Sequence, residues 1–179
     1  LLNEFEMGRS AMAPLVEKWG GRLLMIPGNH DRYTRRSTKR LLFESTFAHE
    51  PIEFPYLRTY DGVDFIGVDA TRPCFVTSRG AFPVERQKAL EVVLRGRGDA
   101  TRPSVVLCHY PYALPEEKVH RWHHRLKEAR HLVELVAAYK PNLLLHGHVH
   151  RRWAHAPLAT PDTVCVNAGS AGMRSSTLE

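Results

Sequence analysis

Three short apolar runs in this sequence each end abruptly in a polar, histidine-bearing turn: "MIPGNHD" at 25–31, "VVLCHYP" at 105–111 and "LLLHGHVH" at 143–150. Runs this short, bounded by Gly, Pro and Asn, read as buried strands and not as helices. Helical patterns lie between them. "PVERQKALEVVLRG" is opened by Pro83 near its first turn and closed at Gly96. "RLKEARHLVELVAAYK" repeats Leu126, Ala129, Val133 and Val136 at helical spacing.

The remaining segments continue the alternation. "SAMAPLVEKWGG" reads as the end of a helix closed by Gly20 or Gly21, and "RLLMIP" as the strand after it. "TRRSTKRLLFESTF" reads as one helix with Leu41 and Leu42 turned inward. "EFPYLRTYDGVDFIGVDAT" holds two β-rich runs around Asp61-Gly62, a dipeptide suited to tight hairpins because both positions tolerate positive φ. "TVCVNAGS" is the last strand. Alternating strands and helices predict an α/β layered domain with helices packed on a sheet. No internal linker divides the chain, so residues 1–179 read as one domain.

Composition narrows the class. The 179 residues are 43% hydrophobic, enough for one ordinary core. No apolar run approaches the roughly 18–20 residues that a membrane span requires. The three cysteines, Cys74, Cys108 and Cys165, are scattered without a CxxC pair, which predicts reduced thiols and a cytoplasmic protein. Net charge is +6, much of it in "RYTRRSTKR" at 32–40. That stretch is either a solvated helix face or a field that draws anionic substrates toward a nearby site. It lacks the interleaved aromatics of a single-strand binding platform.

Strand ends in open α/β sheets are where ligands collect. One histidine there is ordinary, but three such ends in one small domain point to a metal. In an extended chain, residues two apart share a face, so His148 and His150 would look toward one centre or two adjacent ones, with Val149 turned to the core. Gly147 would allow the backbone to turn sharply. His146, still on the strand, reads as a packed or supporting residue. Asn29 offers a neutral amide oxygen, a ligand for a borderline or hard cation; alternatively it is simply a turn residue. His, Asn and carboxylate together suit Mn, Fe or Zn in a catalytic site.

"GNHD" at 28–31, the histidine of "LCHYP" and "GHVH" at 147–150, in that order, resemble the later signature motifs of the calcineurin-like metallophosphoesterases. The resemblance spans Arg22 to about Gly172. It implies a two-sheet sandwich flanked by helices in four layers, with two divalent metals at the strand ends. It also implies that Asn29, His109 and His148 ligate the second metal and His150 the first. His30 would stabilise or protonate the leaving oxygen, and Asp31 would orient that imidazole. The implied activity is hydrolysis of phosphoesters by a two-metal-activated hydroxide. "FIGVDAT", Gly80 and the helix bearing Gln87 are most similar to the bacterial cyclic-nucleotide phosphodiesterase branch, which makes a small phosphodiester, such as a cyclic nucleotide, the expected substrate.

The family also opens with Asp-x-His and Gly-Asp motifs, and neither precedes residue 28. The expectation is therefore a fragment lacking the first strands and the bridging aspartate, weakly active or inactive alone. Three alternatives stand beside a phosphodiesterase: a nuclease, with nucleic acid the less favoured substrate, a protein phosphatase, and a non-catalytic binding module of the same superfamily. The loop "YALPEEKVHRWHHR" at 112–125 could overhang the substrate or be plain surface.

Overall fold

The computed structural model describes residues 2–47, 52–74, 76–115 and 125–170. The chain opens with a helix, α1 (Leu2–Trp19), ended at Gly20, where φ is +49°. A single turn over Gly20–Arg22 and an extended stretch lead to a 3-10 turn at Asn29–Arg32. Two short helices follow, α2 (Arg35–Lys39) and α3 (Leu42–Phe47). The Thr34 hydroxyl caps α2 by accepting from the Ser37 N–H at 2.9 Å.

The single helix expected over "TRRSTKRLLFESTF" is thus two helices. The break falls at Leu41, which adopts φ +48° and is 55% exposed. Phe43 turns inward in its place, against Phe47 with ring centroids 5.5 Å apart.

The hairpin forms as expected. β1 (Tyr56–Tyr60) and β2 (Val63–Val68) pair antiparallel around Asp61 and Gly62, both at positive φ. After β3 (Gly80–Ala81), α4 (Val84–Arg95) starts directly behind Pro83 and stops at Gly96. Then come β4 (Ser104–Cys108), β5 (Leu126–Lys127), α5 (Ala129–Tyr139), β6 (Leu143–His146), β7 (Arg152–His155) and β8 (Val164–Ala168). Strand β7 has no counterpart in the sequence reading. Helix α5 is shorter than its pattern: Leu126 belongs to β5, and the inward face is Leu132, Leu135 and Val136, not Val133.

The main sheet runs β1-β2-β4-β6-β8-β7. Its four middle strands are parallel and its edges antiparallel. This is the expected mixed α/β architecture, a central sheet flanked by helices. Among the described residues the second sheet is the two-stranded parallel pair β3–β5.

The core fills one face of the main sheet. Ile66, Val68, Val106, Cys108, Leu144 and Cys165 meet Leu90 and Leu94 of α4 and Leu132, Leu135 and Val136 of α5. The opposite face, with Phe65, Leu107, Leu145 and Val166, is half-buried. At the start of β2, buried Asp64 accepts from Arg97 Nε at 2.8 Å and from Thr59 Oγ1 at 2.7 Å. Burial alone would raise its carboxyl; the Arg97 and Thr59 bonds and the Arg102 charge reverse that and hold it below the usual carboxylate range.

"RLLMIP" does not form the expected strand. A strand needs a backbone neighbour to complete its hydrogen bonds, and this segment meets side chains instead. The Tyr56 hydroxyl donates to the Met25 carbonyl at 3.3 Å, and the Tyr60 hydroxyl donates to the Gly21 carbonyl. A cleft of about 420 Å³ lies between this segment and β1, lined partly by Leu23, Leu24, Phe47 and Ile52.

Candidate metal centre

Parallel strands β4 and β6 deliver their carboxyl ends side by side, in register through Leu107↔Leu145. The chain leaves each strand there in a polar turn, and the two turns are tied together. The Gly147 N–H donates to the His109 carbonyl at 3.1 Å. The 3-10 turn of Asn29–Arg32 approaches from the side. A Cβ on Gly28 would lie 3.1 Å from the His109 ring, so this position favours glycine for close approach.

Three of the predicted residues meet here. His109 Nε2 lies 2.9 Å from Asn29 Oδ1 and 3.2 Å from His148 Nδ1. These donors come from positions 80 and 39 residues away from His109. His150 and His30 both lie near enough for their charges to act on His109. Both are exposed.

The physical basis of the His148/His150 pairing differs from the expectation. Strand β6 ends at His146, and the following turn is not extended: His148 sits at φ +66° and His150 at φ +56°. Left-handed backbone at non-glycine residues costs energy, and such strain concentrates at functional sites. The every-second-residue rule therefore does not aim these side chains; the turn does.

Asp31 also departs from its expected role. Its Oδ2 accepts from the Gly28 N–H at 2.7 Å and so closes its own turn. Burial pushes its carboxyl up; that bond and the Arg32 and His30 charges oppose the rise. The imidazole of His30 instead meets Tyr33, whose hydroxyl lies 3.3 Å from Nε2.

Electrostatics suit His109 to metal binding. Burial, assisted by the neighbouring His30 and His150 charges, lowers its pKa to about 4. The ring is neutral at pH 7, so no proton competes for its lone pair. An amide oxygen and two imidazole nitrogens gathered around His109 Nε2 fit part of a divalent cation's shell. Among the described residues no three His, Cys, Asp or Glu side chains are gathered for a metal; the third donor here is the amide of Asn29.

Several residues support these donors, and of them only His146 is legible as such in the sequence. Asn167 of β8 is 2% exposed, and its amide donates to the Gly147 carbonyl at 2.6 Å and to His146 Nδ1 at 3.1 Å. His146 is buried against the Trp153 ring, with centroids 4.5 Å apart, which agrees with a packed, supporting residue. Tyr110 lies edge-on against His109 and 4.6 Å from the His148 ring. Arg32 is buried beneath the 29–32 turn, paired with both Glu44 oxygens and 3.5 Å from Asp69. Only the local Asx and glycine features of these turns are visible in one dimension; partners this far apart are not.

Gly80 and Gln87, which carried the likeness to the cyclic-nucleotide branch, make packing contacts. A Cβ at Gly80 would lie 2.5 Å from the Tyr110 ring. Gln87 donates to Glu134 of α5 at 3.1 Å. Most of the 112–125 loop, residues 116–124, lies outside the described residues. All three cysteines are free. No helix among the described residues is long and apolar enough to cross a membrane.

The sequence profile described as calcineurin-like phosphoesterase matches residues 4–152. No curated protein matches the chain. One solved crystal structure superimposes with a TM-score of 0.50 at 16% identity, covering 92% of this chain and 66% of its own. At that identity the likeness speaks to the fold alone.

Proposed function

The chain belongs to the calcineurin-like phosphoesterase family, and from that premise we propose that it serves metal-dependent hydrolysis of phosphoesters, with small phosphodiesters, cyclic nucleotides among them, as the substrate class. The observation that carries this reading is the convergence of Asn29 Oδ1, His109 Nε2 and His148 Nδ1 at the carboxyl ends of β4 and β6. Family members generally hold two divalent metals. In this chain Asn29, His109 and His148 would hold one, and His150 would contribute to the other. When bound, such ions supply Lewis acidity and a water acidic enough to ionise near neutrality.

The chain's own residues do the rest. His109, neutral at physiological pH, keeps its lone pair available. The hydrogen bonds of Asn167 and His109 to Gly147 fix the turn that presents His148, so little reorganisation accompanies binding. His30 is exposed beside the three donors and can hold a proton for a leaving oxygen. Metal content of the full-length protein, with turnover against matched phosphodiesters, phosphomonoesters and cyclic nucleotides, tests the reading. His148→Ala is expected to lose both bound metal and turnover; turnover that survives the loss of metal would refute it.

One observation favours a second reading. Arg35, Arg36, Lys39 and Arg40 are all exposed, and none forms an ion pair among the described residues. They lie on and just after α2, which packs on the turn that bears Asn29 and His30. Unneutralised cations there would favour a polyanion such as nucleic acid. A steep fall of DNA binding with added salt, flattened by replacing these four with glutamine, would support that substrate; a flat salt dependence would favour the small phosphodiester.

A further inference from the structure

We propose that Tyr33 is a positioning residue of this site, its one hydroxyl fixing both the amide of Asn29 and the imidazole of His30. Tyr33 ends the 3-10 turn, three residues after His30 and four after Asn29. That spacing brings all three side chains to one side of the turn. Asn29 Nδ2 donates to the Tyr33 hydroxyl at 3.3 Å, and the hydroxyl lies 3.3 Å from His30 Nε2, with the two rings 4.6 Å apart.

Proton counting gives the arrangement its direction. An amide has one accepting and one donating end. With Tyr33 holding the donating end, Oδ1 of Asn29 faces His109, as the 2.9 Å contact requires. The tyrosine oxygen accepts that N–H, and in the proposed arrangement its own proton goes to His30 Nε2, its other hydrogen-bond partner among the described residues. A neutral His30 then carries its proton on Nδ1, the nitrogen left open for substrate. Among the described residues Tyr33 is the one side chain hydrogen-bonded to His30.

The residues between them make the placement rigid. Asp31 closes the turn onto Gly28, and the buried Arg32 guanidinium anchors it to Glu44 of α3 and to Asp69 just past β2. Tyr33 therefore arrives preplaced, which is what orientation of a reacting group needs.

What His30 does in turnover rests on the hydrolase reading; the hydrogen-bond arrangement does not. The test is Tyr33→Phe in the full-length protein, which removes one oxygen and keeps the ring. Nitrogen-15 spectra of the His30 imidazole at mildly alkaline pH are expected to show the Nδ1–H form in the wild type and a shift toward Nε2–H in the variant. With saturating manganese and a phosphodiester substrate, kcat is expected to fall about 3- to 10-fold, the worth of one hydrogen bond, while KM stays within about twofold. An unchanged tautomer, or a kcat within about twofold of wild type, overturns the proposal. If the wild type turns over no phosphoester, the hydrolase reading fails by itself and the tautomer comparison alone decides Tyr33.

Discussion

His109 and His30 lie near enough to interact through their charges and have opposite tasks in the proposed chemistry. His109 must stay neutral to donate a lone pair, and burial ensures it by lowering its pKa from 6.5 to about 4. In metal-stripped protein this has a consequence for stability. Between pH 6.5 and about 4 the unfolded chain binds a proton at His109 that the folded chain refuses. The stabilisation is complete above 6.5 and is lost as pH falls toward 4. Urea midpoints of chelator-treated protein should decline across that window, and His109→Gln should flatten the decline. His30 is exposed, and in the proposed chemistry it would exchange a proton with the leaving group. His30→Ala should lower kcat by about 10²–10⁴-fold with metal per chain unchanged by elemental analysis; loss of metal would reassign His30 to the ligand set.

Elements set how accurately these residues meet. Strands β4 and β6 are legible as apolar runs, and both turns after them are legible as polar. The support beneath them is not. Tyr110 packs against His148 from below, and Gly80 of β3 makes room for its ring. Gly80→Ala would place a methyl 2.5 Å from that ring and 2.7 Å from the Ala70 carbonyl. Overpacking of this kind costs about 1–3 kcal/mol. The expected outcome is a lower melting temperature together with weaker metal retention; a variant that retains metal like the wild type would show that Tyr110 does not brace His148. The failed strand at 22–27 and the split helix at Leu41 teach the same lesson. Apolar pattern reports what a segment prefers to bury, whereas pairing and helix continuity depend on which neighbours the fold supplies.

For the whole molecule, the site joins the turn at 29–32 to the paired strands β4 and β6. The turn at 29–32 belongs with α2 and α3, His109 with β4, and His148 with β6. A cation held by all three would act as a cross-link in the folded state alone. Manganese at 100 times its dissociation constant should then stabilise the chelator-treated protein by about 2.7 kcal/mol. The melting temperature should rise with metal in the wild type and stay flat in a variant carrying Asn29→Ala, His109→Ala and His148→Ala. An equal rise in both would mean that the cation binds elsewhere.

The local sequence alone determined where β4 and β6 end and which polar residues stand in the turns that follow, because hydrophobic runs and turn residues act over a few positions. From that came the α/β class and the Asp61-Gly62 hairpin; the assignment of Asn29, His109, His148 and His150 as candidate ligands came with the motif resemblance. Tertiary structure decided the rest: that Tyr33 and not Asp31 reaches His30, that Asn167 holds the Gly147 turn, and that left-handed backbone aims His148. The Tyr33 contact is local but depends on the 3-10 geometry of its turn, and the His148 dihedral on the turn after β6. The Asn167–Gly147 and His109–Asn29 contacts join residues 20 and 80 positions apart, and these leave no period in the chain to read.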